Sequence, residues 1–491
     1  MLCNPEAIFR GLLNDPEFAN LQHIWVLRNR GENRETIAEF RGHPRVSFVR
    51  VTSFAYFRAL ATSRYLVNNA TFPPQFGRRV GQIYLNTWHG TPLKKMGYDI
   101  GDQASRVANV IRNLLSTDFL LSTSTFMTQR LYESAHRLRG IYAGKVIELG
   151  YPRIDHQFAD AATVAANRAT LEAAGLAIGD REIILYAPTW KGTSFSRPQD
   201  DIALLATRLT ELDSLIDSSR YVVLLKTHQV VHHFAHTVPG LSNRLVPNTM
   251  PTNAVLAFTD VLVTDYSSIF FDFLAGGRPV LFLAPDINDY ADYRGLYLEP
   301  QQWPGPVIAT VAELAAEINR LDARVQAPDN PNYAEMRDLI VSHEDGHATA
   351  RVIDVVFRGN SQQHPLSELT TPTRRRVLVS AGTLQAGSES CALLKRLDEF
   401  DHDFVDVTVM FTNSSGSDAI AIQKLLNPRV RQLARMGSLN GRWFARRDSA
   451  FWDAEWQRCF GRSTFDEVID LGTNSSVLTE LLRHAPAPDY S

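Results

Sequence analysis

Short apolar runs recur along the chain at 23–27 (HIWVL), 46–51, 65–68, 82–85, 119–122, 146–149, 182–186, 221–225, 260–263 and 279–283. Each is too short for a helix and is bounded by polar or turn residues, which predicts buried strands. Between them, amphipathic spacing predicts helices over 35–40, 53–63, 105–115, 124–136, 161–174, 202–213, 253–258 and 269–275, with Ser124 placed as an N-cap. The chain opens on NPEAIF (4–9), which leads straight into a helical pattern. Strands alternating with helices in this way predict an α/β chain of parallel sheets covered on both faces. The first series ends in GYPRID (150–155) and a new one begins at 182, so we expect an N-terminal Rossmann-like domain over 1–158 and a second over 159–357. RGNSQQHPLSELTTP (358–372) is polar and aperiodic, which predicts a linker over 358–373. Strands at 376–380, 405–411 and 467–470, with a glycine-containing loop at 382–390, predict a third, partial α/β module over 374–491.

Composition narrows the class. The 491 residues are 44% hydrophobic and 21% charged, with formal net charge −3, so no global basic field points to nucleic acid. Cys3, Cys391 and Cys459 make neither a metal-ligand spacing nor a disulfide framework. No apolar run reaches the length of a membrane span, so any membrane contact is expected to be peripheral. Basic residues bunch at Arg78-Arg79, Lys94-Lys95 and Arg374-Arg375-Arg376. We expect the first two pairs to help hold a polyanionic acceptor and the triplet to be solvated surface.

Candidate chemistry gathers at the carboxyl ends of the strands, where open α/β sheets bind ligands. NTWHGTPLKKMGYD (86–99) places His89, the side chain that titrates nearest neutrality, at such an end. APTWKG (187–192), KTH (226–228) and TDYSS (264–268) follow later strands. Ser267 and Ser268 are expected to cap a helix over 269–275 and leave backbone N–H groups facing the crevice, a position suited to phosphate. Asp272 is expected to face a basic group or solvent. No acidic cluster has convincing metal spacing, so no metal and no cofactor are expected.

Taken together, NTWHGTPLKKMGYD, GYPRID, YAPTWKG, KTH and TDYSSIFFDF closely resemble the CDP-glycerol glycerophosphotransferases, the teichoic-acid primases and polymerases, over roughly residues 4–358. The resemblance implies a GT-B-like fold with two Rossmann-like halves facing a cleft. It also implies metal-independent transfer of glycerol phosphate from CDP-glycerol to a hydroxyl of a lipid-linked acceptor, with release of CMP, peripherally at the cytoplasmic membrane face. Under it, His89 and His228 are the catalytic candidates, His89 as the base on the acceptor hydroxyl and His228 beside the donor diphosphate. Gly90, Thr91, Lys94, Arg153, Asp155, Thr189, Lys191, Lys226, Asp265, Ser267 and Ser268 are the substrate-binding candidates. Lys191 stands where many relatives carry arginine, and Gln229 replaces the proline usual after the histidine of the KTH motif.

Two other readings remain open from the residues: the same fold with CDP-ribitol or a nucleotide sugar as donor, and a non-catalytic nucleotide-binding module of a polymer-assembly complex. The third module resembles, more loosely, the N-terminal half of a GT-B glycosyltransferase. Its brevity, and the lack of a strand before the opening helix, suggest a segment of a longer, multi-module chain.

Overall fold

The computed structural model describes residues 3–31, 33–100, 107–189, 199–227, 232, 234–238, 240–287, 295–321, 330–370, 373–412, 415–438, 448–471, 475–486 and 489–490. Strands β1 (His23–Leu27) and β2 (Val46–Arg50) pair in parallel as a separate two-stranded sheet. They stand apart from the sheet that follows because only one face is covered: Phe9 meets Trp25, His23 and Phe40 edge-on, while Ile24 and Val26 are exposed.

The first large sheet has β3 (Tyr65–Asn68), β4 (Ile83–Asn86), β5 (Phe119–Ser122) and β6 (Lys145–Glu148) in parallel. The second has β7 (Glu182–Ala187), β8 (Tyr221–Leu225), β9 (Val261–Thr264), β10 (Val280–Leu283) and β11 (Val307–Ile308), all parallel in the order β11-β10-β9-β7-β8. Its strands are apolar on both faces. Ile183 and Leu185 join the core shared with the first sheet, while Ile184 and Tyr186 join a second core under the helices Gln199–Leu215 and Val311–Arg320. These two α/β halves give the chain its GT-B-like architecture.

Residues 358–373 are more than a linker. Within them β12 (Leu366–Ser367) pairs antiparallel with β6 and becomes the edge of the first sheet. Beyond it, β13 (Arg375–Ser380), β14 (Val405–Phe411), β15 (Arg431–Ala434), β16 (Glu467–Asp470) and β17 (Asp489–Tyr490) form a third parallel sheet in the order β15-β14-β13-β16-β17. One face of this sheet and its helices enter the core of the first half, through Leu378, Met410, Trp452, Trp456, Phe460 and Leu478. Arg374, Arg375 and Arg376, expected as solvated surface, are paired with Asp406, Glu467 and Asp466.

The helix expected over 124–136 is an α-helical turn at Thr125–Met127, with Ser124 accepting from Met127 N at 3.4 Å, followed by a π-helix at Thr128–Ala135. Late in the chain, the helix Ala348–Ile353 returns to the opening helix Asn4–Asn14. The two come so close at Gly11 that a Cβ there would lie 2.7 Å from Ile353 Cδ1.

Candidate active site

His89 sits just beyond the carboxyl end of β4. Asn86 Oδ1 accepts from Trp88 N at 2.9 Å and Thr87 Oγ1 donates to Trp88 O at 3.0 Å. These bonds hold Trp88 at φ 49, a left-handed conformation unusual for a bulky residue and of the kind that collects at functional sites. The turn swings the His89 ring back to stack on Trp88, with centroids 4.6 Å apart and planes 25° apart. Nδ1 donates to the Asn69 carbonyl at 2.8 Å. In the neutral ring this leaves the lone pair on Nε2. Desolvation by the surrounding loops, with a smaller contribution from the nearby Arg153 charge, lowers the pKa of His89 against the opposing effect of the Asn69 bond.

Arg153 joins the two halves at this point. Its Nη1 donates to the His89 carbonyl at 2.7 Å, and its Nη2 and Nε lie 2.8 Å from the two oxygens of Asp272. Asp272 also accepts from Asn253 Nδ2 at 3.0 Å, and its backbone carbonyl accepts from Gln157 Nε2 at 2.7 Å. This bidentate pair is the basic partner expected for Asp272. Asp272 belongs to the helix Ile269–Phe273, which is shorter than the predicted 269–275 and gives way to a 3-10 turn ended by Gly277 at φ 68.

The expected serine cap is not the one observed. Ser268 makes no side-chain cap bond, and only Ser267 Oγ accepts from Ile269 N, at 3.5 Å. Ser268 turns instead toward the His89 loop, where a Cβ on Gly90 would lie 3.2 Å from its hydroxyl and 3.8 Å from Arg153 Nη2. Gly90 therefore allows the loops after β4 and β9 to approach across the cleft.

The other predicted residues divide by what they touch. Thr91 is buried, its hydroxyl 3.1 Å from that of Thr123. Lys94 lies in a strap whose neighbours bond across the cleft: Lys95 N donates to Gly295 O at 3.1 Å and Tyr297 N to Leu93 O at 2.9 Å. Both carboxylate oxygens of Asp155 accept backbone N–H groups, from Ala348 at 2.9 Å and Thr349 at 2.7 Å, which places Asp155 at the start of the helix Ala348–Ile353. Asp265 accepts from Thr189 N at 2.7 Å and so shapes the loop after β7. Lys226, at the end of β8, donates to Pro247 O at 3.2 Å and Asn248 Oδ1 at 3.5 Å, and burial lowers its pKa to about 8. Lys191 and His228 lie outside the described residues.

Arg78 and Arg79 are not where an acceptor near His89 could meet them. Arg78 donates to Gln82 O at 2.8 Å and lies 3.4 Å from Asp118, and Arg79 N donates to Gln82 Oε1 at 2.9 Å. Gln82 and Asp118 precede β4 and β5, so both arginines sit at the amino ends of the strands, opposite the cleft.

The sequence profile described as CDP-Glycerol:Poly(glycerophosphate) glycerophosphotransferase matches residues 1–358. The chain belongs to this family. It is 28% identical over 372 residues to the teichoic acid poly(glycerol phosphate) polymerase of Bacillus spizizenii, a match covering 72% of this chain and 88% of that protein. It is 28% identical over 379 residues to the teichoic acid glycerol-phosphate transferase of Staphylococcus aureus, covering 72% and 89%. A solved structure of the wall teichoic acid polymerase TagF matches with a TM-score of 0.61 and 26% identity, over 74% of this chain and 86% of that one.

This glycerophosphotransferase also uses residues that its motifs do not reveal. Asn69, which orients the imidazole, contributes only a backbone carbonyl, and that leaves no trace in side-chain pattern. Asn253 and Gln157 hold Asp272 from other elements. His136, buried against the edge of Trp88, has its pKa lowered to about 4 by burial and bonds Leu131 O through Nδ1 at 2.7 Å. It therefore supports the Trp88-His89 turn as a neutral ring. Among the described residues, no three His, Cys, Asp or Glu side chains gather to hold a metal ion.

Proposed function

We propose that this enzyme transfers glycerol phosphate from CDP-glycerol to a hydroxyl of a lipid-linked acceptor, in synthesis of a teichoic-acid-like or capsular polymer. The observation that carries the reading is His89: Nδ1–H committed to Asn69 O, a lowered pKa, and the Ser267-Ser268 loop facing it across Gly90. In the proposed step the acceptor hydroxyl gives its proton to His89 Nε2 as its oxygen bonds the β-phosphorus. The bond from that phosphorus to the bridging oxygen breaks, and CMP leaves with the electron pair.

The acceptor enters from the half carrying residues 1–158, and the donor occupies the strand ends of the half carrying 159–357. Lys226 supplies positive charge there, with Lys191 and His228 assigned to the same donor side from their motifs. The hydroxyls of Thr189 and Thr227 are shielded from water and have no hydrogen-bond partner among the described residues. Buried hydroxyls are normally paired, and the donor would supply partners for both. Ser267 and Ser268 act through their hydroxyls and the surrounding loop. Arg153 positions His89, and Asp155 and Asp265 hold backbone. Because Asp272 is paired with Arg153 and Asp265 with Thr189 N–H, neither carboxylate is assigned to a metal. Among the described residues no helix is long and apolar enough to cross a membrane, and contact with the cytoplasmic membrane face is assigned to peripheral binding beside the lipid-linked acceptor.

The test is CMP release from CDP-glycerol with a glycerophosphate-primed lipid acceptor, in EDTA, for the unaltered chain and His89→Ala. Acceptor-dependent release that survives chelation and falls about 100-fold or more in the variant is expected. Release confined to CDP-ribitol would replace the donor. Binding of CDP-glycerol without release to any acceptor would replace the enzyme reading with a nucleotide-binding one.

A further inference from the structure

The strap that follows His89, residues 93–99, is held from two sides by parts of the chain remote from it in sequence. On the donor side it pairs with residues 295–297 through Leu93 and Lys95. Met96 N also donates to the Tyr297 hydroxyl at 3.3 Å, and that hydroxyl donates to Asp99, which accepts from Ser134 Oγ at 2.8 Å as well. Between these anchors Gly97 adopts φ 55, and a Cβ there would come within 1.9 Å of Ala135 O. The strap is thus pressed onto the π-helix Thr128–Ala135.

On the other side stands the third sheet. Tyr98 is 6% exposed, and its hydroxyl accepts from Gln432 N at 3.0 Å while donating to Gln432 O. Gln432 lies on β15, which among the described residues is the edge strand of that sheet, its outer row of backbone groups facing no further strand. One phenol closes this stretch of edge with both a donor and an acceptor. The Arg137 guanidinium lies 4.3 Å over the Tyr98 ring and donates to Val430 O at 3.0 Å. Arg431 returns the contact, reaching Arg137 O at 2.7 Å and Arg139 O at 3.1 Å.

We propose that the third module is a positioning element for the transfer reaction and acts through Tyr98. By fixing the strap it holds the His89 loop in register with Tyr297 of the opposite half. The module begins beyond the residues that the family profile matches, and the inference rests on the transfer reaction proposed above. Tyr98 touches no reacting atom; its effect passes through the backbone of 93–99.

The test uses the full chain with Tyr98→Phe, Tyr297→Phe and both together. Tyr98→Phe keeps the ring under Arg137 and removes only the hydroxyl. A fall in kcat of at least about fivefold, the scale of one of the two hydrogen bonds lost, is expected, with KM for CDP-glycerol changed less than about twofold. Because both hydroxyls act on one strap, the double variant should fall less than the product of the single effects. Amide exchange should quicken at 93–97 and 295–297 while β13 and β14 stay protected. An unchanged kcat, or faster exchange confined to the third sheet, overturns the proposal. Absence of CMP release in the unaltered chain would count against the transferase reading instead. The exchange arm then still decides the present one, since unchanged exchange at 93–97 and 295–297 in Tyr98→Phe refutes it.

Discussion

In the proposed step the imidazole of His89 takes a proton only while neutral, and its pKa lies below the ordinary value of about 6.5. As pH falls from neutrality, kcat/KM should therefore drop along an acid limb that lies lower than an ordinary histidine would give, which a pH–rate profile can check. Removing the Arg153 charge should raise that pKa, so Arg153→Gln is expected to move the acid limb upward as well as slow the reaction. Arg153→Lys should keep the limb near its original position yet remain slow, because an ammonium cannot span the His89 carbonyl and both oxygens of Asp272. The position of His89 was legible in sequence, because the apolar run 82–85 ends just before a glycine- and proline-bounded loop, and the strand Ile83–Asn86 delivers it there. Asp155 was legible only as part of a motif. The N–H groups it accepts come from 193 and 194 residues later, a distance that no local pattern reports.

Among the elements, the apolar runs located the strands well, because a strand buried on both faces leaves a nearly continuous signal. Strands β11, β15 and β17 were not read from it, and two further exceptions have physical reasons. β12 is two residues long and owes its conformation to the free edge of β6, so its sequence reads as linker. The π-winding of 128–135 follows from tertiary packing of a stretch whose composition suits an α-helix equally well. The loop after β8 carries a test of its own. Lys226 has a pKa of about 8 because it is desolvated, and a bound diphosphate would raise it. Donor binding between about pH 8 and 9 should take up a proton, and Lys226→Met should abolish that uptake, as calorimetry in buffers of different ionisation enthalpy would record. At Gly97, alanine would have to displace the backbone at Ala135, so Gly97→Ala should lose most activity or fold poorly. Gly90→Ala needs only a few tenths of an ångström from the Ser268 hydroxyl and should be much milder.

At the scale of the whole molecule, the third module is part of the first half's core. Arg458, fully buried, donates to Pro74 O at 2.8 Å and Met436 O at 2.7 Å and pairs with Glu455, which also holds Arg435. Arg458→Met would strip a buried carboxylate of one partner and leave carbonyls unpaired. A loss of about 3–5 kcal/mol is expected, measurable by denaturant unfolding. The placement of β12 also orders events during synthesis. The edge of β6 is completed by residues translated after the entire second half, and the opening helix, packed on β1 through Phe9, waits for its second neighbour Ala348–Ile353. At elongation of about 5–20 residues per second, β6 stays open for roughly 10–40 s. The second half can close its own sheet within that interval, so the portion made first is finished last, and a nascent chain stalled before residue 366 leaves the ribosome tunnel carries β6 with its edge uncapped.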